Sequence, residues 1–74
     1  MKKFEVGNIY IGQDDIEIKV IKRTEKTITF KYNKSSFWEK DTEKTFRRKI
    51  QNSYTEFESI NLGNHWSEPT VNAI

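Results

Sequence analysis

Apolar and polar residues alternate in twos along much of this chain, the repeat of an extended strand whose side chains point to opposite faces. Residues 8–12 carry Ile9 and Ile11 on one side and Tyr10 on the other. Asp14 and Asp15 then predict a turn, because aspartate side chains hydrogen-bond their own backbone. In 16–23, Ile16, Ile18 and Val20 face one way while Glu17, Lys19 and Ile21 face the other. Thr24-Glu25-Lys26 is short enough for a hairpin connection. Beyond it, 27–32 alternates Ile28, Phe30 and Tyr32 with Thr27, Thr29 and Lys31. β-Branched and aromatic residues dominate both runs, which makes this the clearest strand pair in the chain.

The pattern lapses over 33–41, a polar stretch with Ser35-Ser36 as its bend. A fourth strand is expected over 44–50, with Phe46 and Ile50 inward and Thr45, Arg47 and Lys49 outward. Arg48 falls on the inward parity, a conflict that a bulge or a place at the rim would resolve. A fifth strand is expected over 54–60, before a turn at Asn61-Leu62-Gly63-Asn64. The tail over 65–71 adds only a short edge strand, since Pro69 has no N–H for a ladder.

A helix competes only within 36–49, where Ser36 and Glu39 have the spacing of a capping box. Phe37, Trp38 and Phe46 make no helical stripe, so one turn is the most that pattern supports. The expected fold is therefore mainly β: a small single-domain barrel of five or six short strands, because closure removes exposed edges. SH3-like is the favoured architecture and OB-like the alternative.

Composition narrows this further. With 74 residues and 34% hydrophobic content, the chain has few apolar residues beyond those a core requires. Ten aromatic rings offset that shortage by burying much surface each. The chain has no cysteine, so disulfides and thiolate metal sites are excluded and a cytoplasmic location is expected. Met1-Lys2-Lys3 begins like a signal peptide, but Phe4-Glu5-Val6-Gly7-Asn8 breaks any apolar run, and no membrane partner is expected.

Charge changes the picture most. Between Lys19 and Lys49 there are 11 Lys and Arg against 4 acids, a local +7, while the remainder holds 2 Lys against 7 acids, a local −5. The formal net charge of +2 hides that polarity. On the strand alternation, Lys19, Arg23, Lys31, Arg47 and Lys49 leave one outer surface, with Thr27, Thr29 and Thr45 between them. Such a surface binds phosphates through charge and counterion release, and hydroxyls add hydrogen bonds. The duller explanation is that lysines keep strand edges soluble and unpaired.

The chain also resembles a set of small, largely uncharacterised proteins of phages and mobile elements of Gram-positive bacteria. The resemblance rests on Phe4-x-Val6-Gly7-x-x-Tyr10 and on Val20-x-x-Arg23-Thr24-x-Lys26-Thr27-Ile28-Thr29-Phe30. It continues in Arg47-Arg48-Lys49-Ile50 and in the ending Trp66-Ser67-Glu68-Pro69-Thr70-Val71. It implies a mobile-element accessory protein with a small β fold and transfers no site.

Other candidate chemistry is thin. Phe37 and Trp38, beside Lys34 and Lys40, suit base stacking or a protein hot spot, or else fold back to plug the core. If only one of the two rings is buried, Phe37 is the expected one, leaving Trp38 exposed. His65 has no companions at catalytic or metal-ligand spacing. Asp14-Asp15, and Glu56 with Glu58, fit a solvated face or salt bridges to the basic strands better than a cation site. No catalytic motif or phosphate loop is present, so neither an enzyme nor a cofactor is expected.

Two functions follow. The first is a nucleic-acid-binding module that uses Lys19, Lys22, Arg23, Lys31, Arg47 and Lys49 with slight sequence selectivity, since no recognition helix exists to enter a groove. The second is a protein-binding accessory or inhibitory factor that docks through Phe37 and Trp38. Charge polarity also suits self-association, so the expected state is a monomer or a weak homodimer.

Overall fold

The computed structural model describes residues 2–37, 39–51, 56–62 and 69–74. Among them six strands form two antiparallel sheets. The larger sheet takes β1 (Ile9–Ile11), β2 (Glu17–Arg23), β3 (Thr27–Tyr32) and β4 (Thr45–Lys49) in sequence order, and the smaller pairs β5 (Ser59–Asn61) with β6 (Thr70–Asn72).

The turns form where local chemistry allows them. Asp14 and Asp15 both adopt left-handed backbone, at φ 58° and 60°, which aspartate tolerates better than most residues. Gly7 stands at φ 92° just before β1, where its N–H donates to the Val20 carbonyl at 2.8 Å. The β2–β3 connection closes when Thr24 N–H donates to the Thr27 carbonyl at 2.9 Å. In the 33–44 loop, Ser36 Oγ accepts the Glu39 N–H at 3.2 Å, the contact a capping box begins with. The chain then turns toward β4 instead of winding on, because no apolar stripe would hold a helix against the core.

The core lies between the two sheets. Ile18, Val20, Ile28, Phe30 and Tyr32 cover the inner face of the large sheet and meet Ile60, Leu62, Val71 and Ala73. Phe4, Tyr10, Ile16 and Ile50 close its margins. In β1 the apolar residues divide, with Tyr10 buried and Ile9 and Ile11 exposed. Tyr10 goes inward because its ring meets Phe4 edge-on at 4.9 Å and its hydroxyl accepts the Glu5 N–H at 2.8 Å. Phe46, half-buried, extends the core to the sheet edge by stacking on Phe30 at 5.8 Å.

Backbone bonds join the sheets at two places. Gln51 and Ser59 exchange N–H···O bonds of 2.7 and 3.1 Å, so the end of β4 leads into β5. Gly12 follows β1 and lies so near β6 that a Cβ there would stand 2.6 Å from Val71 Cγ2. β5 is shorter than the expected 54–60 strand: Phe57 lies outside it, in an isolated parallel bridge to Lys2, and 52–55 lie outside the described residues. Among the described residues no helix is long and apolar enough to cross a membrane.

One irregularity corrects the alternation read along 16–23. Val20 pairs with Phe30, but Lys22 pairs with Thr29 and Arg23 with Ile28, so Ile21 is an extra residue in β2. This bulge reverses the parity behind it. Lys22 therefore joins the outer face, and Arg23 turns to the core side beside buried Ile28.

Candidate nucleic-acid interface

Residues directly opposite each other on paired strands share a face, so the register assembles the outer surface into rows. The first row runs Ile9, Lys19, Lys31, Thr45; the second Lys22, Thr29, Arg47; the third contains Thr27 and Lys49. Successive rows stand two residues apart, or about 6.7 Å along the strands. Lys19 directly faces Lys31, a like-charge pair that opposes folding.

Carboxylates leave most of these cations alone. Lys31 Nζ is 3.8 Å from Glu43, whose side chain is 84% exposed, a contact worth little in water. Among the described residues, Lys19, Lys22, Arg47 and Lys49 have no carboxylate within salt-bridge range. Glu17, the acid on this face, accepts from Asn33 Nδ2 at 2.9 Å and lies 4.0 Å from Lys34. The structure thus brings Lys19, Lys22, Lys31, Arg47 and Lys49 onto one surface and removes Arg23 from it.

Arg23 is committed elsewhere. Its Nε donates to the Thr24 carbonyl at 3.0 Å, and Nη1 to the Phe4 carbonyl at 2.6 Å and Glu58 Oε1 at 2.9 Å. Nη2 donates to the Glu25 carbonyl and to Glu58 Oε2, both at 3.3 Å. All five guanidinium N–H groups are taken. Burial pushes the Glu58 carboxyl up, but the Arg23 guanidinium and the Phe4 N–H at 2.9 Å outweigh it and hold the group below its ordinary value. The hydrogen bond to Glu58 in turn raises Arg23. Glu58 thus takes the salt-bridge reading of the acidic pair, while Glu56 is exposed.

Arg48 settles its own conflict at the rim. It faces inward opposite Ile28, with no bulge in β4, and its Nε and Nη2 donate to the Leu62 carbonyl at 3.1 and 3.0 Å. Its guanidinium carbon lies 5.6 Å from the Phe46 ring centroid. Arg23 and Arg48 therefore flank Ile28 on the inner face and tie the large sheet to the chain beyond it.

Between the second and third rows lies a cleft of about 140 Å³ lined by Lys22, Arg23, Thr24, Thr27, Thr29 and Arg47. Nothing in the strand pattern announced it, since it depends on the bulge bringing Lys22 level with Thr29 and Arg47. The sequence feature that could have signalled a basic residue drawn inward is Glu58, an acid in the apolar company of Phe57 and Ile60.

Phe37 corrects the expectation that its ring is buried, for it is 89% exposed. The loop turns on its own backbone, with Ser35 Oγ donating to the Lys40 carbonyl at 3.0 Å, and does not carry Phe37 to the core. Trp38, His65 and Trp66 lie outside the described residues. Comparison with protein-family models, curated proteins and solved structures finds no match to this chain.

Proposed function

We propose that this protein is a non-enzymatic nucleic-acid-binding module that grips the phosphate backbone through Lys19, Lys22, Lys31, Arg47 and Lys49. The observation that carries this reading is the position of the cations. Protecting an edge accounts for lysines on edge strands, but Lys19 on β2 stands between Ile9 and Lys31, and Lys31 on β3 between Lys19 and Thr45, each with a paired strand on both sides. Solubility gives no reason to set Lys19 directly against Lys31. The rows Ile9–Lys19–Lys31–Thr45, Lys22–Thr29–Arg47 and Thr27–Lys49 contain no aromatic ring, so contacts are to phosphates and selectivity among bases is slight.

The same proposal takes the two sheets as an SH3-like barrel left partly open, supported by the Gln51–Ser59 bridge and the approach of Gly12 to Val71. A cytoplasmic accessory role in a phage or mobile element suits a nucleic-acid ligand. Fluorescence anisotropy with labelled single- and double-stranded DNA and RNA tests the reading. Saturable binding that weakens with salt and is lost in Arg47→Glu is the expected result. Failure to bind at low salt, or indifference to Arg47→Glu in a folded protein, overturns it.

A protein-binding role is the second reading, favoured by the 89% exposure of Phe37. It predicts that Phe37→Ala or Trp38→Ala loses a captured partner without changing thermal unfolding. Equal recovery by wild type and variants counts against it.

A further inference from the structure

The cleft among Lys22, Thr27, Thr29 and Arg47 has the chemistry of a defined site, and it goes a step beyond a charged surface. We infer that it is a seat for a single dianionic phosphoryl group, filled by the terminal phosphate monoester of a nucleic-acid strand. This rests on the backbone-binding reading and adds preference for a phosphorylated end.

The direction of the hydroxyl protons is the first argument. Thr24 Oγ1 accepts the Thr27 N–H at 3.1 Å and the Lys26 N–H at 3.4 Å. A hydroxyl oxygen has two acceptor positions, and both are then occupied. In the 2.8 Å contact between the Thr24 and Thr27 hydroxyls, Thr24 is therefore the donor. Thr27 keeps its own proton to donate outward, and among the described residues no acceptor takes it. Thr29 Oγ1 likewise has no partner there. Each of these two hydroxyls can therefore turn its proton to an anion.

Charge is the second argument. Lys22 and Arg47 reach the cleft without a carboxylate partner among the described residues, whereas Arg23 is neutralised by Glu58 and has no N–H left to give. Two uncompensated positive charges match a phosphate monoester, which carries roughly −1.5 to −2 at pH 7, better than a diester with its single charge. Size is the third. At about 140 Å³ the cleft has room for one tetrahedral oxyanion. Arg23 acts as the frame: by bonding the Thr24 and Glu25 carbonyls it sets the turn that presents Thr24 and Thr27.

The experiment compares a short single strand ending in hydroxyls with the same strand carrying a 5′ or a 3′ phosphate, by anisotropy at low salt. A charge-assisted seat predicts about tenfold tighter binding of one phosphorylated strand. That ratio should vanish in Thr27→Val, which changes no charge, and in Arg47→Gln. Lys19→Gln should weaken all strands equally and leave the ratio intact. Amide NMR with inorganic phosphate gives a second reading, with saturable shifts expected at Thr27, Thr29 and Arg47 and absent in Thr27→Val. Equal binding of all strands overturns the preference for an end. If no strand binds but phosphate still shifts these residues, the backbone reading falls and the phosphoryl seat stands. Absence of both strand binding and phosphate shifts overturns the seat itself.

Discussion

Arg23 and Glu58 show how one residue pair changes roles when a strand turns over. With Glu58 only 4% exposed, deleting its partner leaves an uncompensated charge in the core, a defect that costs about 3 kcal/mol or more. Arg23→Met should accordingly lower the unfolding midpoint by at least about 12 °C, at about 4–8 °C per kcal/mol for a domain of this size. A change of less than about 4 °C would show that the pair is dispensable. Acid has a definite sign here. The folded carboxyl lies below its ordinary value of 4.5, so the pair's contribution is fully present above that pH and is lost as pH falls through the depressed value. Glu58→Gln should be clearly less stable than wild type at pH 7, with the gap narrowing toward pH 3. A gap that stays constant with pH would place the defect in packing and not in charge.

At the scale of elements, strand existence was legible because alternation and β-branched residues cooperate from Ile16 to Tyr32. The Asp14-Asp15 turn was legible too, since it depends on local backbone chemistry alone. Burial of Tyr10 over Ile9 and Ile11 was not, because it depends on Phe4 arriving from outside the strand. Gly12 marks a further long-range requirement, with Val71 Cγ2 at 2.6 Å and the Thr70 carbonyl oxygen at 2.7 Å from the place a Cβ would occupy. Gly12→Ala must push β1 and β6 apart, at about 1–3 kcal/mol. Thermal unfolding should report it, and an unchanged midpoint would mean that the two strands separate freely. Phe37→Ala, at a ring 89% exposed, should leave that midpoint within the range of ordinary surface changes, about 0.5 kcal/mol.

Across the whole molecule, the polarity of the chain becomes the polarity of a surface. The three cation rows lie along the strand direction at about 6.7 Å intervals, comparable with the phosphate repeat of an extended single strand. If each row neutralises one phosphate, log K should fall with log salt at a slope of about −2 for a single strand and nearer −3 for a duplex. A slope near zero with binding retained would move the interaction off these rows. Arg47→Glu removes one contact and adds a repulsion beside Lys22, so its effect should exceed that of Arg47→Gln measured under the same salt.

The sequence by itself determined the first four strands, the first turn and the basic middle, because each depends on residues close together in the chain. It also placed Thr27, Thr29, Lys31, Arg47 and Lys49 on one face, since β3 and β4 alternate without interruption. Only the tertiary structure decided that Ile21 is an extra residue, that Lys22 replaces Arg23 on that face, and that Arg23 closes on Glu58 across 35 positions of chain. A period of two cannot reveal its own interruption. The bulge turns Arg23 inward, where its five donors meet acceptors from neighbouring Thr24 and Glu25 and from Phe4 and Glu58, which only folding brings near.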